Sequence, residues 1–112
     1  MKTNELTGHT LNWAVSQVEG IDHDTAILNI TIGDDNGWFL DYLTWAQGGA
    51  IIEAWMIDVG TYRGAWRAAR HVGSLPTYGY GPTPLIAAMR CYVASKLGDE
   101  VEIPDELLGE LK

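Results

Sequence analysis

The feature that most constrains this chain is a glycine- and proline-rich segment, residues 79–84, which leads directly into the best helix of the sequence. Thr83 is placed to cap this helix, because its hydroxyl can accept a hydrogen bond from a free amide of the first turn. Pro84 suits the first helical position, where an N–H would have no partner. The pattern predicts a helix over residues 84–97 that stops at Gly98, since glycine tolerates the left-handed conformation common after a helix.

This predicted helix has two different faces. Its large residues share one arc, which should pack on the core: Leu85, Ile86, Met89, Val93 and Leu97. A second face holds only small residues: Ala87, Cys91, Ala94 and Ser95. Small side chains let another backbone approach closely, either within the fold or across a subunit interface. With the surplus of aromatic residues, this face predicts a homo-oligomer, a dimer or a larger assembly.

The remaining segments predict a small single domain, residues 1–112, of the α+β class. An N-terminal helix is expected within residues 6–20, with Gly20 at its end. An antiparallel sheet of about four strands should follow before the long C-terminal helix, with strands over residues 25–32, 38–40, 55–59 and 62–72.

Residues 62–72 are ambiguous in the sequence. Their Ala and Arg residues favour a helix, whereas Gly64 and the flanking loops favour a second hairpin strand. A strand is the preferred interpretation. Because side chains alternate along a strand, Arg67 and Arg70 would then lie on opposite faces.

Two short helices complete the prediction. The paired glycines Gly48 and Gly49 should break any strand before a single helical turn over residues 50–54. Residues 99–112 form an acidic tail, in which Pro104 is placed to start a short helix. This tail is expected to be an exposed appendage or a docking element.

The charge of the chain is distributed unevenly. The net charge of −8 argues against a general nucleic-acid binder, which needs a surplus of Lys and Arg. Residues 1–58 hold nine acids and one base, and residues 99–112 hold six acids and one base. Residues 59–98 have no acid and five bases: Arg63, Arg67, Arg70, Arg90 and Lys96. This asymmetry indicates one site for an anionic ligand.

The sequence also excludes several classes of protein. No window approaches the roughly 18 apolar residues that a membrane span needs, and no secretory signal is visible. A single cysteine, Cys91, cannot form an internal disulfide and is expected to be a small core residue. A cytosolic setting without membrane contact follows.

Motifs for catalysis and cofactor binding are missing. There is no phosphate-binding or dinucleotide-binding loop, no metal-ligand spacing and no nucleophile motif. The histidines, His9, His23 and His71, each suit a structural position better than a catalytic one. We therefore expect neither a catalytic residue nor a metal or other cofactor, and the chain is predicted not to be an enzyme.

Aromatic residues near the arginines point instead to ligand binding. Tryptophan and tyrosine rings stack on planar bases, and arginine binds phosphate in a two-pronged manner. Glycines beside them would give a ligand access to the backbone, and a helix start favours an anion. The candidate ligand-binding residues are Trp45, Gln47, Gly48, Gly49, Arg63, Trp66, Arg67, Arg70, Tyr78, Tyr80, Gly81, Thr83 and Arg90.

Several segments resemble the NinX family, small accessory proteins of lambdoid phages. They are ELTG, LNWAV, WAQGG, IIE, PTPLIAAMRC and VASKLG, at residues 5–8, 11–15, 45–49, 51–53, 82–91 and 93–98. The resemblance implies a phage protein made in the cytoplasm of a bacterial host. It implies no activity, so the function has to be argued from the residues.

Two functional hypotheses follow. The first is a phage accessory binding protein that sequesters a small anionic, nucleotide-type ligand, such as a signal of host defence. The alternative is a protein-interaction module, whose acidic surface mimics nucleic acid or docks on a host or phage replication, recombination or defence protein.

Overall fold

The structure, a computed structural model, describes residues 1–22, 24–26, 42–72 and 75–103. It is a small α+β domain in which the C-terminal helix covers one face of an antiparallel sheet and two further α-helices pack on that helix. After a 3-10 turn at Thr3–Glu5, the elements in chain order are α1 (Gly8–Val18), α2 (Gly48–Ala54), β1 (Asp58–Tyr62), β2 (Ala65–Val72), β3 (Leu75–Gly81) and α3 (Pro84–Leu97). In this part of the chain no helix is both long and apolar enough to cross a membrane.

Helix α3 begins and ends as predicted. The Thr83 hydroxyl accepts a hydrogen bond from the Ile86 amide at 3.1 Å, and Pro84 is the first helical residue. Gly98 ends the helix with a φ of 89°, a conformation that glycine adopts without steric cost. The ends of this helix could be predicted from local sequence, because a helix end leaves backbone groups unpaired. The Thr83 hydroxyl satisfies one such group, and Pro84 has no N–H that would need a partner.

The sheet has three strands in the described residues, against the predicted four or so, in the order β1-β2-β3. The preference for a strand over residues 62–72 is confirmed, although β2 begins only at Ala65. Strand β1 starts three residues later than predicted, because Trp55 caps α2 and Met56 turns the chain with a φ of 52°. The hairpin turn therefore falls at Arg63 and Gly64 rather than at residues 60–61.

The largest correction concerns residues 75–81, where the sequence predicts no strand. They form β3, which pairs with β2 along its whole length. Glycines usually weaken a strand, but here they permit close packing. A side chain on Gly79 would collide with the backbones of Ala87 and Cys91 in α3.

This close approach explains the small-residue face of α3. Ala87 and Cys91 are fully buried against β3, so the second backbone that their size admits belongs to the same chain. The large-residue face is buried at Leu85, Met89 and Val93, while Leu97 is 42% exposed at the end of the helix. The expected homo-oligomer loses this part of its support and is otherwise untested.

The N-terminal helix is confirmed as α1, in which Leu11, Ala14 and Val15 are fully buried. It packs on α3, and together these helices form most of the core. Its start is fixed at Thr7, whose amide donates to the Thr10 hydroxyl at 3.1 Å.

The predicted first hairpin is wrong where it can be compared. Residues 24–26 are helical, not extended, and the Asp22 carboxylate caps them by accepting from both the amide and the hydroxyl of Thr25. The rest of that hairpin, at residues 27–40, lies outside the described residues.

The sequence predicts two further short helices, one over residues 50–54 and one that starts at Pro104. The predicted turn over residues 50–54 is confirmed within α2, which starts two residues earlier at Gly48. The helix expected from Pro104 lies outside the described residues. The start of the acidic tail is not an appendage, because Val101 is buried and exchanges backbone hydrogen bonds with Met1 at 2.9 and 2.8 Å.

Candidate functional site

Strand alternation divides the side chains of the sheet between two faces. In β2, Ala68 and Arg70 are buried toward α3, whereas Arg67 points to the other side. The register places Arg67 directly opposite Tyr80 of β3. Directly paired residues share a face, so Tyr80, and Tyr78 two residues before it, also lie on the side that α3 does not cover.

Five side chains cluster on this open face, and we call them the tyrosine patch: Tyr62, Arg63, Arg67, Tyr78 and Tyr80. The guanidinium carbon of Arg67 lies 4.4 Å from the ring centroid of Tyr62 and 5.1 Å from that of Tyr78. The Tyr80 centroid is 6.3 Å from Tyr62 and 6.4 Å from Tyr78. These distances fit cation–π and tilted aromatic contacts, so the patch is one continuous cluster.

Arg63 joins the patch through the hairpin turn. Its guanidinium carbon lies 5.2 Å from the Tyr62 centroid. Arg63 and Gly64 have φ values of 53° and 83°, as the two central residues of a type I′ turn require. This conformation costs a residue with a Cβ about 1–2 kcal/mol, and Asn would suit it better. The turn thus carries an arginine beside Tyr62 at some expense in stability.

The patch presents both rings and positive charge to solvent. Its three tyrosines have exposed fractions of 38% (Tyr62), 39% (Tyr78) and 38% (Tyr80). Of the acidic side chains that the structure describes, none lies within ion-pair distance of Arg63 or Arg67. An anion that docks here would therefore not have to displace a carboxylate.

A shallow depression of about 200 Å³ adjoins the patch. It exists because Gly60 of β1 lies opposite Arg67 and has no side chain to fill the space. Arg67 and Asp58 are both among its lining residues. The depression gives a ligand group access to the arginine from the side of β1.

The structure places Arg70 and Trp66 on the opposite face from the patch, and the predicted separation of Arg67 and Arg70 is confirmed. The Arg70 guanidinium donates to the Ser95 hydroxyl at 2.7 Å and lies 4.5 Å from the Trp55 centroid. Trp66 is partly buried and packs against the core.

At the start of α3, the candidate residues make contacts within the protein. Arg90 is buried and donates from Nε to the Leu6 carbonyl at 2.9 Å and from Nη1 to the Tyr80 carbonyl at 2.7 Å. Its burial lowers the pKa of the guanidinium from the ordinary value. The Thr83 hydroxyl is engaged in its cap, and a side chain on Gly81 would press on Ile86.

The candidates around α2 form a separate group. Gly48 is buried, and a side chain there would collide with the Tyr42 carbonyl and Leu85. Gln47 precedes the helix, and Gly49 lies against the ring of Trp45, which is 63% exposed. The structure thus joins Arg63, Arg67, Tyr78 and Tyr80 in one patch and distributes the other nine candidates elsewhere.

Sequence reasoning missed Tyr62 and Trp55. Tyr62 directly precedes the Arg63-Gly64 turn, and placing the turn there would have put it on the same face as Arg67. Trp55 was assigned to a strand, but it is the residue that ends α2.

Cys91 is a packing residue, as predicted. Its thiol is fully buried and donates a hydrogen bond to the Thr77 carbonyl, with 3.3 Å between the sulfur and the oxygen. Burial raises the pKa of this thiol to about 11. In the part of the chain that the structure describes, no group of three or more side chains is arranged to hold a metal ion.

These features define a small α+β domain with a sheet face that carries exposed tyrosines and two arginines without a carboxylate partner among the described residues. A family model described as Bacteriophage P22, NinX matches residues 2–96. The chain belongs to the NinX family, as the resemblance in its segments indicated. No match is found among curated proteins.

Proposed function

We propose that this chain is a non-enzymatic binding protein that captures a small anionic, nucleotide-type ligand on the tyrosine patch. The observation that carries the proposal is the position of Arg67, whose guanidinium lies between the exposed rings of Tyr62 and Tyr78 without a carboxylate partner among the described residues. A planar base can stack on a tyrosine ring while its phosphate pairs with the arginine.

The patch supplies each kind of contact that such a ligand requires. Three tyrosine rings offer stacking surfaces, and Arg67 and Arg63 offer forked donors. The depression over Gly60 lets a phosphate or a ring edge approach Arg67. The strongly acidic parts of the sequence, outside residues 59–98, disfavour long nucleic acids, which favours a small ligand.

In this proposal the ligand is bound without being converted. The family is that of a phage protein, so the working site would be the cytoplasm of the infected host, and the ligand a nucleotide signal of host defence. Sequestration of this kind requires affinity and copy number but no catalytic group. A homo-oligomer would raise the number of sites per particle.

A thermal-shift screen against cyclic and linear nucleotides tests the proposal. A ligand at about 100 times its dissociation constant adds about 2.7 kcal/mol, so a rise of several degrees in Tm is expected. The best nucleotide is then titrated by calorimetry against wild type, Arg67→Ala and Lys2→Ala.

Arg67→Ala should lose about 1.5–3 kcal/mol of binding free energy, the usual worth of a charge-assisted hydrogen bond. Lys2→Ala removes the same charge from an exposed side chain outside the patch and should bind like wild type. No Tm rise with any nucleotide, together with co-purification of a host protein, would contradict the proposal and favour the protein-interaction module.

A further inference from the structure

A cleft of about 590 Å³ lies between the end of α2 and β2, and it is distinct from the tyrosine patch. Its walls include the apolar side chains of Ile52, Met56 and Ile57 and the side chains of Trp55, Arg70 and His71. This volume falls within the range of small-molecule sites, which combine an apolar lining with a few polar groups.

Arg70 is the buried cation among the residues that line this cleft. It is only 9% exposed, yet the structure gives it no carboxylate partner among the described residues. Its one hydrogen bond, to Ser95, uses one of the five N–H donors of a guanidinium. Buried charges in proteins are normally paired, so this arginine lacks a counter-charge.

Trp55 gives the cleft a second feature of an anion site. Its ring lies under two cations, with the Arg70 guanidinium carbon 4.5 Å and the Lys96 ammonium 4.6 Å from the centroid. The ring holds both positive groups in place without neutralising them. A carboxylate beside Arg70 would gain from both charges.

The rim of the cleft limits how much negative charge can enter. Glu53 and Asp58 line it and are exposed, and the Asp58 carboxylate lies 3.9 Å from His71 Nε2. These acids would repel a polyphosphate more than a single carboxylate. Met56, 83% exposed, offers apolar surface that a ligand would cover.

We propose that this cleft binds an organic monoanion, a carboxylate attached to an apolar ring or chain. The carboxylate pairs with the Arg70 guanidinium, and the apolar part lies against Ile52, Met56 and Ile57. This site and the tyrosine patch use different arginines, since Arg70 and Arg67 project from opposite faces of β2, and Asp58 lines both the cleft and the depression beside the patch.

Benzoate is the probe, with the neutral isostere benzamide as its matched control. Each is titrated into the ¹⁵N-labelled full-length chain while the Trp55 indole N–H and the Arg70 Nε–H resonances are followed. Benzoate should shift both resonances saturably, and benzamide should bind at least about tenfold more weakly because it lacks the charge-assisted contact. Equal affinities, or shifts that do not involve Trp55, would overturn the proposal.

Variants then assign the contact. Arg70→Gln should weaken benzoate about tenfold or more, whereas Lys2→Gln, a loss of charge outside the cleft, should leave it unchanged. If Arg70→Gln does not fold, Lys96→Gln on the exposed side of α3 should still weaken benzoate and not benzamide. Benzoate binding that survives Arg70→Gln or Lys96→Gln and is lost in Arg67→Ala would refute the cleft and leave the tyrosine patch as the site. Nucleotide binding at the tyrosine patch is measured in a separate titration, so the proposal for the patch and the proposal for the cleft can each be refuted independently.

Discussion

On β3, glycines and tyrosines alternate, and the two residue types face opposite sides of the sheet. Gly79 and Gly81 are buried against α3, whereas Tyr78 and Tyr80 are exposed on the open face. The inner face needs residues without side chains, because the backbones of β3 and α3 are in direct contact. The outer face has no helix against it in the described structure and can carry large rings.

Arg90 and Arg67 follow the same division, whereas Arg70, also on the inner side, lines the cleft beside α2. On the inner side, the buried Arg90 donates two hydrogen bonds within the fold, to the carbonyls of Leu6 and Tyr80. On the outer side, the guanidinium of Arg67 lies against the rings of Tyr62 and Tyr78. The comparison teaches that a basic, glycine-rich segment is not one site: contacts within the fold occupy some of its residues and leave others for a ligand.

The largest expected effect comes from a methyl group on the inner face. Gly79→Ala would force the backbones of Ala87 and Cys91 away from β3, and we expect a loss of about 3 kcal/mol or more in the free energy of unfolding. Gly60→Ala places the same methyl on the open face, where nothing lies within 4 Å, and should cost less than about 0.5 kcal/mol. Urea unfolding compares them; similar losses would break the distinction between the faces.

A second pair of variants compares the arginines. Arg90→Met leaves the buried Leu6 carbonyl and the partly buried Tyr80 carbonyl without the donor that Arg90 supplies, and should cost about 2–4 kcal/mol of stability. Arg67→Met loses only exposed ring contacts and should cost less than about 1 kcal/mol. Chemical denaturation followed by circular dichroism measures both. An Arg90→Met chain as stable as wild type would mean that Arg90 is free to bind a ligand after all.

Alkaline pH should lower the free energy of unfolding, because two titratable side chains of α3, Cys91 and Tyr92, are buried. Burial raises the pKa of Cys91 from 9.0 to about 11, and burial together with the neighbouring Glu19 carboxylate raises the pKa of Tyr92 from 10.0 to about 12. The unfolded chain releases these protons first, so stability that is full below about pH 9 is lost as the pH rises toward 12. Urea midpoints at pH 7, 9.5 and 11 measure the fall. Tyr92→Phe removes one of the two groups and should make the fall smaller, whereas a midpoint independent of pH would contradict the burial of both.

The smallest expected effect concerns the turn at the edge of the patch. Arg63→Asn suits the positive φ of this position and should raise stability by up to about 1 kcal/mol. The same change removes a cation from Tyr62 and should weaken nucleotide binding. Thermal unfolding and calorimetry on one preparation give both values. A variant that gains stability and keeps full affinity would remove Arg63 from the site.

The sequence predicted α3 with its ends, α1 and the helical turn of α2, because caps and apolar periodicity are local. It also predicted that Arg67 and Arg70 separate, once residues 62–72 were taken as a strand. Strand β3 was missed, because two glycines and a proline suggest a loop, and only the contact with α3 makes glycine favourable there. That contact joins residues distant from any local pattern.

The same limitation applied to the candidate site. The acid-free segment contains all the arginines of the patch, and its charge is visible without a structure. Which arginines of the acid-free segment can still bind a ligand depends on long-range hydrogen bonds, such as the one from Arg90 to the Leu6 carbonyl, 84 positions away. Tyr62 could be assigned to the candidate site only once the hairpin turn was known to lie at Arg63 and Gly64, because that turn fixes which face of the sheet Tyr62 shares.

The most direct test of the central claim is a residue-resolved map of nucleotide binding. The ¹⁵N-labelled chain is titrated with the nucleotide that raises Tm most, and amide shifts are compared between the two faces of the sheet. The account predicts saturable shifts centred on Tyr62, Arg67, Tyr78 and Tyr80, which disappear in Arg67→Ala while the spectrum stays folded. Shifts centred instead on the start of α3 around Thr83, or unchanged in Arg67→Ala, would contradict it.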